Sequence, residues 1–298
     1  MAASSPSPSL RALVARVVDY AGLFPPAALS MREAVARQAD YLQSADAWLL
    51  GRFVVPVSRL TDMVEAAASQ VTIGMPPWRL SVLIDDVTTD AARIRDFSHA
   101  HGARFVIEAV EGRAASADEI ERMVGAFAPE LERYVELPHH DDPRALLESV
   151  RRTGGRAKLR TGGVTPGAFP SAAQIARFIA RCAESGVAFK ATAGLHHAVH
   201  GAYPLTYEID AASTPMFGFL NLFAASALAE AGRPEPEIVS LLEEPRGAAF
   251  AFDADGMRWR DHVVPIDRIV HARRTLAIAF GSCSFEEPRD ELRTLALT

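Results

Sequence analysis

Two lysines raise the first chemical question. Lys158 lies in Ala157-Lys158-Leu159-Arg160-Thr161-Gly162-Gly163, and Lys190 lies 32 residues on in Ala188-Phe189-Lys190-Ala191-Thr192-Ala193-Gly194. An ordinary lysine is protonated at neutral pH, and a protonated amine cannot attack a carbonyl. A second cation nearby, together with burial, disfavours the charged form. The neutral amine can then form a Schiff base, an electron sink for making or breaking a carbon–carbon bond. Glu108, in Val106-Ile107-Glu108, and Glu136, in Tyr134-Val135-Glu136-Leu137, are the carboxylates that could move protons beside such an amine. The plainer reading is an internal ion network of Glu108, Glu136, Lys158, Arg160 and Lys190. Burying charge is costly unless it is paired, and concentration of these groups at successive strand ends favours chemistry or ligand binding.

Small-residue turns accompany the charges. Thr161-Gly162-Gly163, Ala193-Gly194 and Gly281-Ser282-Cys283-Ser284 could expose backbone N–H groups to an anion, and with Arg160 they point to an anionic group on the ligand. A competing constellation is formed by histidines. His196-His197-x-x-His200 and His139-His140-Asp141-Asp142 could hold Zn²⁺ or another divalent metal. Adjacent loop histidines point in different directions, so a polar rim around the substrate is the alternative to a metal set of His196, His197 and His200. The lysine chemistry itself calls for no cofactor. Cys283 could act as a nucleophile, but no base is near it in sequence, so it reads as a small buried residue. Asp19-Tyr20, near the end of a first strand, reads as structural before catalytic, and Arg52 and Asp85 could complete a charged ring.

The elements that must position these groups alternate. Short apolar runs at 48–55, 80–84, 104–110, 134–137, 157–159 and 187–192 are separated by helical stretches. Ile120, Met123, Val124 and Phe127 repeat at i, i+3, i+4, i+7, as do Ile175, Phe178, Ile179 and Cys182. Ser30-x-x-Glu33, Ser116-x-x-Glu119 and Ser171-x-x-Gln174 fit the capping box, and Asp142-Pro143 offers an N-cap with Pro at the first helical position. Strand then helix, repeated to about residue 232 and closed by a strand at 279–285 and a helix at 288–297, predicts an α/β (β/α)8 TIM barrel. An open doubly wound sheet is the runner-up, but no G-x-G-x-x-G follows a strand. Residues 234–265 read as an insertion with a small β-hairpin before the last strand, its Asp253-Ala254-Asp255-Gly256 a plain turn. Residues 195–215 form a long connection without periodicity, where Tyr203, Tyr207 and Glu208 could close on a ligand or pack on a neighbouring subunit of a homo-oligomer.

Composition bounds the function. A chain of 298 residues with 49% hydrophobic and 23% charged residues excludes wholesale disorder. A net charge of −6 argues against a general nucleic-acid or membrane-surface binder and leaves a small-molecule substrate. With only Cys182 and Cys283, a disulfide framework is excluded and a reducing, cytoplasmic setting expected. Residues 1–9 read as a loose tail without a signal-peptide core, and 10–298 as one domain. The most apolar stretch, 217–231, contains Asn221 and Glu230 and is too short to span a membrane.

At the two lysines and the last turn the chain resembles deoxyribose-phosphate aldolase, a class I aldolase with a TIM-barrel fold. That family's sixth strand carries a Lys followed by Ser/Thr-rich residues and Thr-Gly, to which Lys158-Leu159-Arg160-Thr161-Gly162 is similar. Its seventh strand carries Phe/Val-Lys, two small residues and Gly-Gly, matched by Phe189 to Gly194. Its last strand ends in a Gly-x-Ser-Ser phosphate site, comparable with Gly281-Ser282-Cys283-Ser284. The resemblance implies Lys158 as the Schiff-base lysine, Lys190 as the neighbour that tunes it, and Glu108 at the family's acidic position on the fourth strand. It covers three short patches. His196-His197 are bulkier than the family's residues, and the insertion at 234–265 is foreign to it. A class I aldolase-like lyase is thus the first expectation, a metal-dependent barrel enzyme the second, and a non-catalytic sugar- or phosphate-binding barrel the third.

Overall fold

The apolar runs become strands that pair in parallel until they meet. In the computed structural model, which describes residues 6–295 and 297, the chain forms β1 (Val18–Tyr20), β2 (Leu50–Pro56), β3 (Trp78–Leu83), β4 (Phe105–Arg113), β5 (Glu132–Glu136), β6 (Arg156–Arg160) and β7 (Phe189–Thr192). There follow an antiparallel pair, β8 (Gly201–Pro204) and β9 (Ser213–Met216). Then come the antiparallel strands β10 (Phe250–Phe252), β11 (Gly256–Trp259) and β12 (His262–Pro265), and last β13 (Ala277–Ser282). Parallel pairing closes a barrel in the order β1-β13-β7-β6-β5-β4-β3-β2. This is the (β/α)8 TIM barrel that the alternation predicts.

The helices are α1 (Pro8–Val14), α2 (Met31–Gln43), α3 (Leu60–Ala66), α4 (Val87–His101), α5 (Ala117–Gly125), α6 (Arg144–Thr153), α7 (Ala172–Ser185), α8 (Phe219–Glu230), α9 (Glu235–Leu242), α10 (Ile266–Thr275) and α11 (Glu286–Thr294). The capping boxes of α2 and α7 are complete, each Ser accepting from the N3 backbone while Glu33 or Gln174 answers it. At α5, Ser116 caps Glu119, but Glu119 reaches back to the Ala115 N–H instead. At α6 the expected register is off by one: Pro143 is the N-cap residue, and Asp142 accepts from Arg144 N–H. The apolar stripe of α7 is buried against the barrel, Ile175, Phe178, Ile179 and Cys182 being at most 1% exposed. α8 is apolar all round, so it is buried all round apart from Glu230. Its one amide, Asn221, is satisfied by donating to Leu241 O and Glu244 O and accepting from His200 N–H. Among the described residues no helix is long and apolar enough to cross a membrane.

Two expectations need correction. The loose tail of 1–9 falls partly on residues 1–5, outside the described residues. Ser7 caps α1 with Pro8 at its first position, and Ser9 is buried, so α1 begins inside that segment. The hairpin of the insertion is a three-stranded antiparallel sheet, β12 adding to β11, and it packs on α1 and α10. Asp253 Oδ1 accepts from Asp255 and Gly256 N–H, which makes the expected turn.

Candidate active site

At the C-terminal ends of the barrel strands lies a cavity of about 720 Å³, and no residue of 234–265 lines it. Side chains alternate along a strand. Glu132, Tyr134 and Glu136 of β5 therefore share a face, as do Arg156, Lys158 and Arg160 of β6. Lys190 of β7 is the register partner of Lys158. Both lysines line the cavity, 5% and 1% exposed.

The lysines are separated by a carboxylate. Lys190 Nζ donates to Asp19 Oδ2 (2.5 Å) and Glu111 Oε1 (2.7 Å) and sits over the Tyr134 ring. Lys158 Nζ lies 2.9 Å from Glu111 Oε2 and 3.0 Å from Glu136 Oε2. Lys158 Nζ is thus flanked by two carboxylates at ion-pair distance. Ser81 Oγ donates to Glu111 Oε1 (2.5 Å). Burial disfavours the Lys190 ammonium, but Asp19 and Glu111 outweigh it and hold its pKa above the ordinary value. Burial likewise opposes ionised Glu111, and the two lysine charges hold it well below the carboxylate range.

Glu108 does not line the cavity. It binds Arg79 through two hydrogen bonds of 2.6 Å and Arg52 at 2.9 Å, and the place expected for it beside the lysines is taken by Glu111. The cause is a bulge. Leu80 pairs with Ile107 but Ser81 with Ala109, so the inward parity of β4 shifts by one and the strand continues to Arg113. Asp19 is buried, and its Oδ1 accepts from Arg52 N–H (2.8 Å). Gly51 makes this reach possible, since a Cβ there would stand 2.3 Å from Asp19 Oδ1.

The turns pack more than they cradle. A Cβ on Gly162 would meet Gly194 Cα at 2.9 Å, and the converse distance is the same, with Phe169 filling the corner. Gly163 is similarly close to Ala168. Ala193 and Gly194 both have positive φ, and buried Thr161 holds that turn by donating from Oγ1 to Ala193 O. Arg160 donates from Nε to Glu136 Oε1 (3.0 Å), and Arg113 approaches the same oxygen at 3.4 Å. Burial opposes ionised Glu136, yet Lys158 and Arg160 hold it below the ordinary carboxylate value.

Across the cavity the end of β13 makes a second cluster. His196 Nδ1 lies 3.1 Å from Glu287 Oε2, 3.4 Å from Ser282 Oγ and 3.8 Å from Cys283 Sγ. Tyr207, from the β8–β9 connection, donates to Glu287 Oε2 (3.2 Å) and lies 3.6 Å from Cys283 Sγ. Burial works against a charged His196, but the bonds to Cys283 and Glu287 prevail and push it up to about 10. Gly281 and Cys283 also line the cavity. Thus Cys283 does have a histidine beside it, delivered from the turn after β7.

The other histidines have other partners, although His197 also lines the cavity. His197 binds Glu291 (2.5 Å) and stacks on Tyr203, while His200 sits beside Phe217. The His139 and His140 rings lie beside each other, 4.3 Å between centroids. Among the described residues no three His, Cys, Asp or Glu side chains are grouped to hold a metal ion. No family model, curated protein or solved structure matches the chain.

Proposed function

We propose that the protein is a Schiff-base-forming carbon–carbon lyase of the class I aldolase type, acting on a small carbonyl compound, with Lys158 as the imine-forming amine. One observation carries the reading. Lys158 and Lys190 are the only lysines among the 31 Lys and Arg residues, and both face one cavity in register. Arginine serves every other cationic position, and it cannot lose its proton. The two side-chain amines of the sequence therefore both stand in this one cavity.

The two amines are held differently. Lys190 is locked by hydrogen bonds to two carboxylates and stays charged. Lys158 stands between carboxylates that are shared with Lys190, Arg160 and Arg113. In the proposed reaction Glu136, 3.0 Å away, is the carboxylate placed to take the proton that Lys158 releases as its electron pair adds to the substrate carbonyl carbon. The neutral carbinolamine takes one proton back from Glu136, loses its oxygen as water and leaves a protonated imine. That cation occupies the same position as the ammonium, between Glu111 and Glu136, so the charge balance of the site is conserved. Cleavage of the bond between the α-carbon and a hydroxyl-bearing β-carbon leaves its electron pair in an enamine, while a carboxylate takes the β-hydroxyl proton and the β-carbon departs as a carbonyl product.

Borohydride reduction in the presence of small aldehydes, keto acids and sugar phosphates tests the reading. The chain offers two ε-amines and the N-terminus, so the adduct is readily mapped. The expected result is an adduct at Lys158, lost in Lys158→Ala and Lys158→Arg. An adduct confined to Lys190, or none with any carbonyl class, would overturn it.

A further inference from the structure

The end of β13 is where a barrel of this kind could hold a phosphate, using free N–H groups and the start of a following helix. Here two of those groups are already bonded within the turn. Ser282 Oγ accepts from Ser284 N–H (3.3 Å), and Ser284 Oγ accepts from Glu287 N–H (3.2 Å). The first turn of α11 carries Glu286 and Glu287, so negative charge already occupies the positive end of the helix. The packed pair Gly162–Gly194 leaves no open cradle on the β7 side.

What faces the cavity is a donor–acceptor pair. Glu287 Oε2 is engaged by His196 and Tyr207, while Glu287 Oε1 accepts no hydrogen bond among the described residues. His196 uses Nδ1 for its protein contacts, and Nε2 makes none among the described residues. Both side chains line the cavity, as do Tyr207 and Cys283. A carboxylate oxygen and a ring N–H that make no hydrogen bond among the described residues, on two paired side chains lining one cavity, suit an alcohol, which can accept from one and donate to the other. A phosphate could accept from His196 but offers Glu287 Oε1 no neutral hydroxyl donor and brings like charge against that carboxylate.

We infer that His196 and Glu287 form a subsite for a neutral hydroxyl group of the substrate, selecting a hydroxylated carbonyl compound over its phosphorylated counterpart. The inference rests on the Schiff-base reading for the word substrate, and the subsite has its own chemistry. The lysine end of the cavity anchors the carbonyl, and the β13 end holds the hydroxylated tail. The charge on Glu287 is the discriminating feature, with His196 setting the direction of the hydroxyl hydrogen bond.

Two measurements test it. In borohydride trapping at Lys158, D-glyceraldehyde should half-saturate at a concentration at least about tenfold below that of D-glyceraldehyde 3-phosphate, the size expected for one like-charge juxtaposition. Glu287→Gln should narrow that ratio, with circular dichroism checking the fold. Equal or tighter use of the phosphorylated aldehyde by the native protein overturns the inference. The second measurement needs no imine. The His196 ring resonance is followed by NMR as glycerol or inorganic phosphate is added, and glycerol should move it at lower concentration. Phosphate acting first, or glycerol leaving the resonance unmoved, overturns the subsite. If neither aldehyde labels Lys158, the Schiff-base reading fails for that pair while the NMR titration still decides the hydroxyl site.

Discussion

Lys158 and Lys190 are neighbours across β6 and β7, and a single carboxylate, Glu111, touches both ammonium groups at 2.9 Å and 2.7 Å. Glu111 is thus the carboxylate that the two buried cations share. Glu111→Gln keeps the shape and removes the shared charge, leaving Lys190 with Asp19 and Lys158 with Glu136. Breaking a buried ion pair by removing one partner typically costs about 3–5 kcal/mol, which urea unfolding at neutral pH would report. The effect has a defined pH sign. Because the carboxyl is held below its ordinary value, its stabilisation is present above the ordinary carboxylate range and fades as pH falls through the lowered one. Native and Glu111→Gln proteins should therefore converge in stability in strong acid. A loss under about 1 kcal/mol at neutral pH would show that the lysines are neutralised without Glu111.

Gly51 supports the same network from outside it. Its missing side chain leaves room for Asp19, which joins Arg52 N–H to Lys190 Nζ. In Gly51→Ala the new Cβ would also come within 3.1 Å of Val18 O and 3.2 Å of Arg16 O, so relief by backbone movement is limited. Overpacking of this kind costs about 1–3 kcal/mol. The expected signature is a lowered unfolding midpoint. Nuclear magnetic resonance of the Lys190 side chain should also shift, because Asp19 must move away from the amine. An unchanged Lys190 resonance would separate Asp19 from the charge network.

His196 gives stability an alkaline limb. Its folded value of about 10 stands above the ordinary value of 6.5. A raised value means that the folded state holds the proton more tightly, so the contribution is full below about 6.5 and is lost as pH rises to about 10. Denaturation midpoints of the native protein should decline across that interval, and those of His196→Gln should be flatter there. Parallel curves for the two proteins would show that the Glu287 pair does not stabilise the imidazolium.

Most of the scaffold was legible because its signals are local. Capping serines, apolar stripes and the strand–helix alternation each depend on a few neighbouring residues, and they led to the barrel. Both lysines were also legible, because period-two alternation put Lys158 with Arg160 and Lys190 with Thr192 on shared faces. Glu111 was not, since the bulge between Ile107 and Ala109 shifts parity in a way that no apolar pattern announces. Asp19 was visible but read as structural, because its partner Lys190 is 171 residues away and only barrel closure brings them together. The same closure sets His196 beside Cys283 and Glu287, which share no sequence neighbourhood with it. The start of α1 could have been read from Ser7-Pro8, an N-cap and first-position pair hidden within a Ser/Pro-rich stretch.

Tyr207 ties the β8–β9 connection across the cavity, and its hydroxyl is the part that does so. The ring is 58% exposed and neighbouring Ile209 is fully exposed, so little apolar burial holds this segment near its tip. Leu205 and Met216, both buried, anchor its two arms. The bonds from Tyr207 to Glu287 and toward Cys283 are then the main polar contacts of the tip. Tyr207→Phe removes them and leaves the ring. A hydrogen bond to a charged acceptor contributes about 1.5–3 kcal/mol when buried, and solvent access at this tip reduces that to about 1 kcal/mol. Opening of residues 205–212 should then become roughly fivefold more frequent, while the barrel keeps its global stability. Amide hydrogen exchange resolves the two, with faster exchange confined to the connection. Uniformly faster exchange would make Tyr207 part of the barrel's own stability, and unchanged exchange would show that the tip is held by its arms alone.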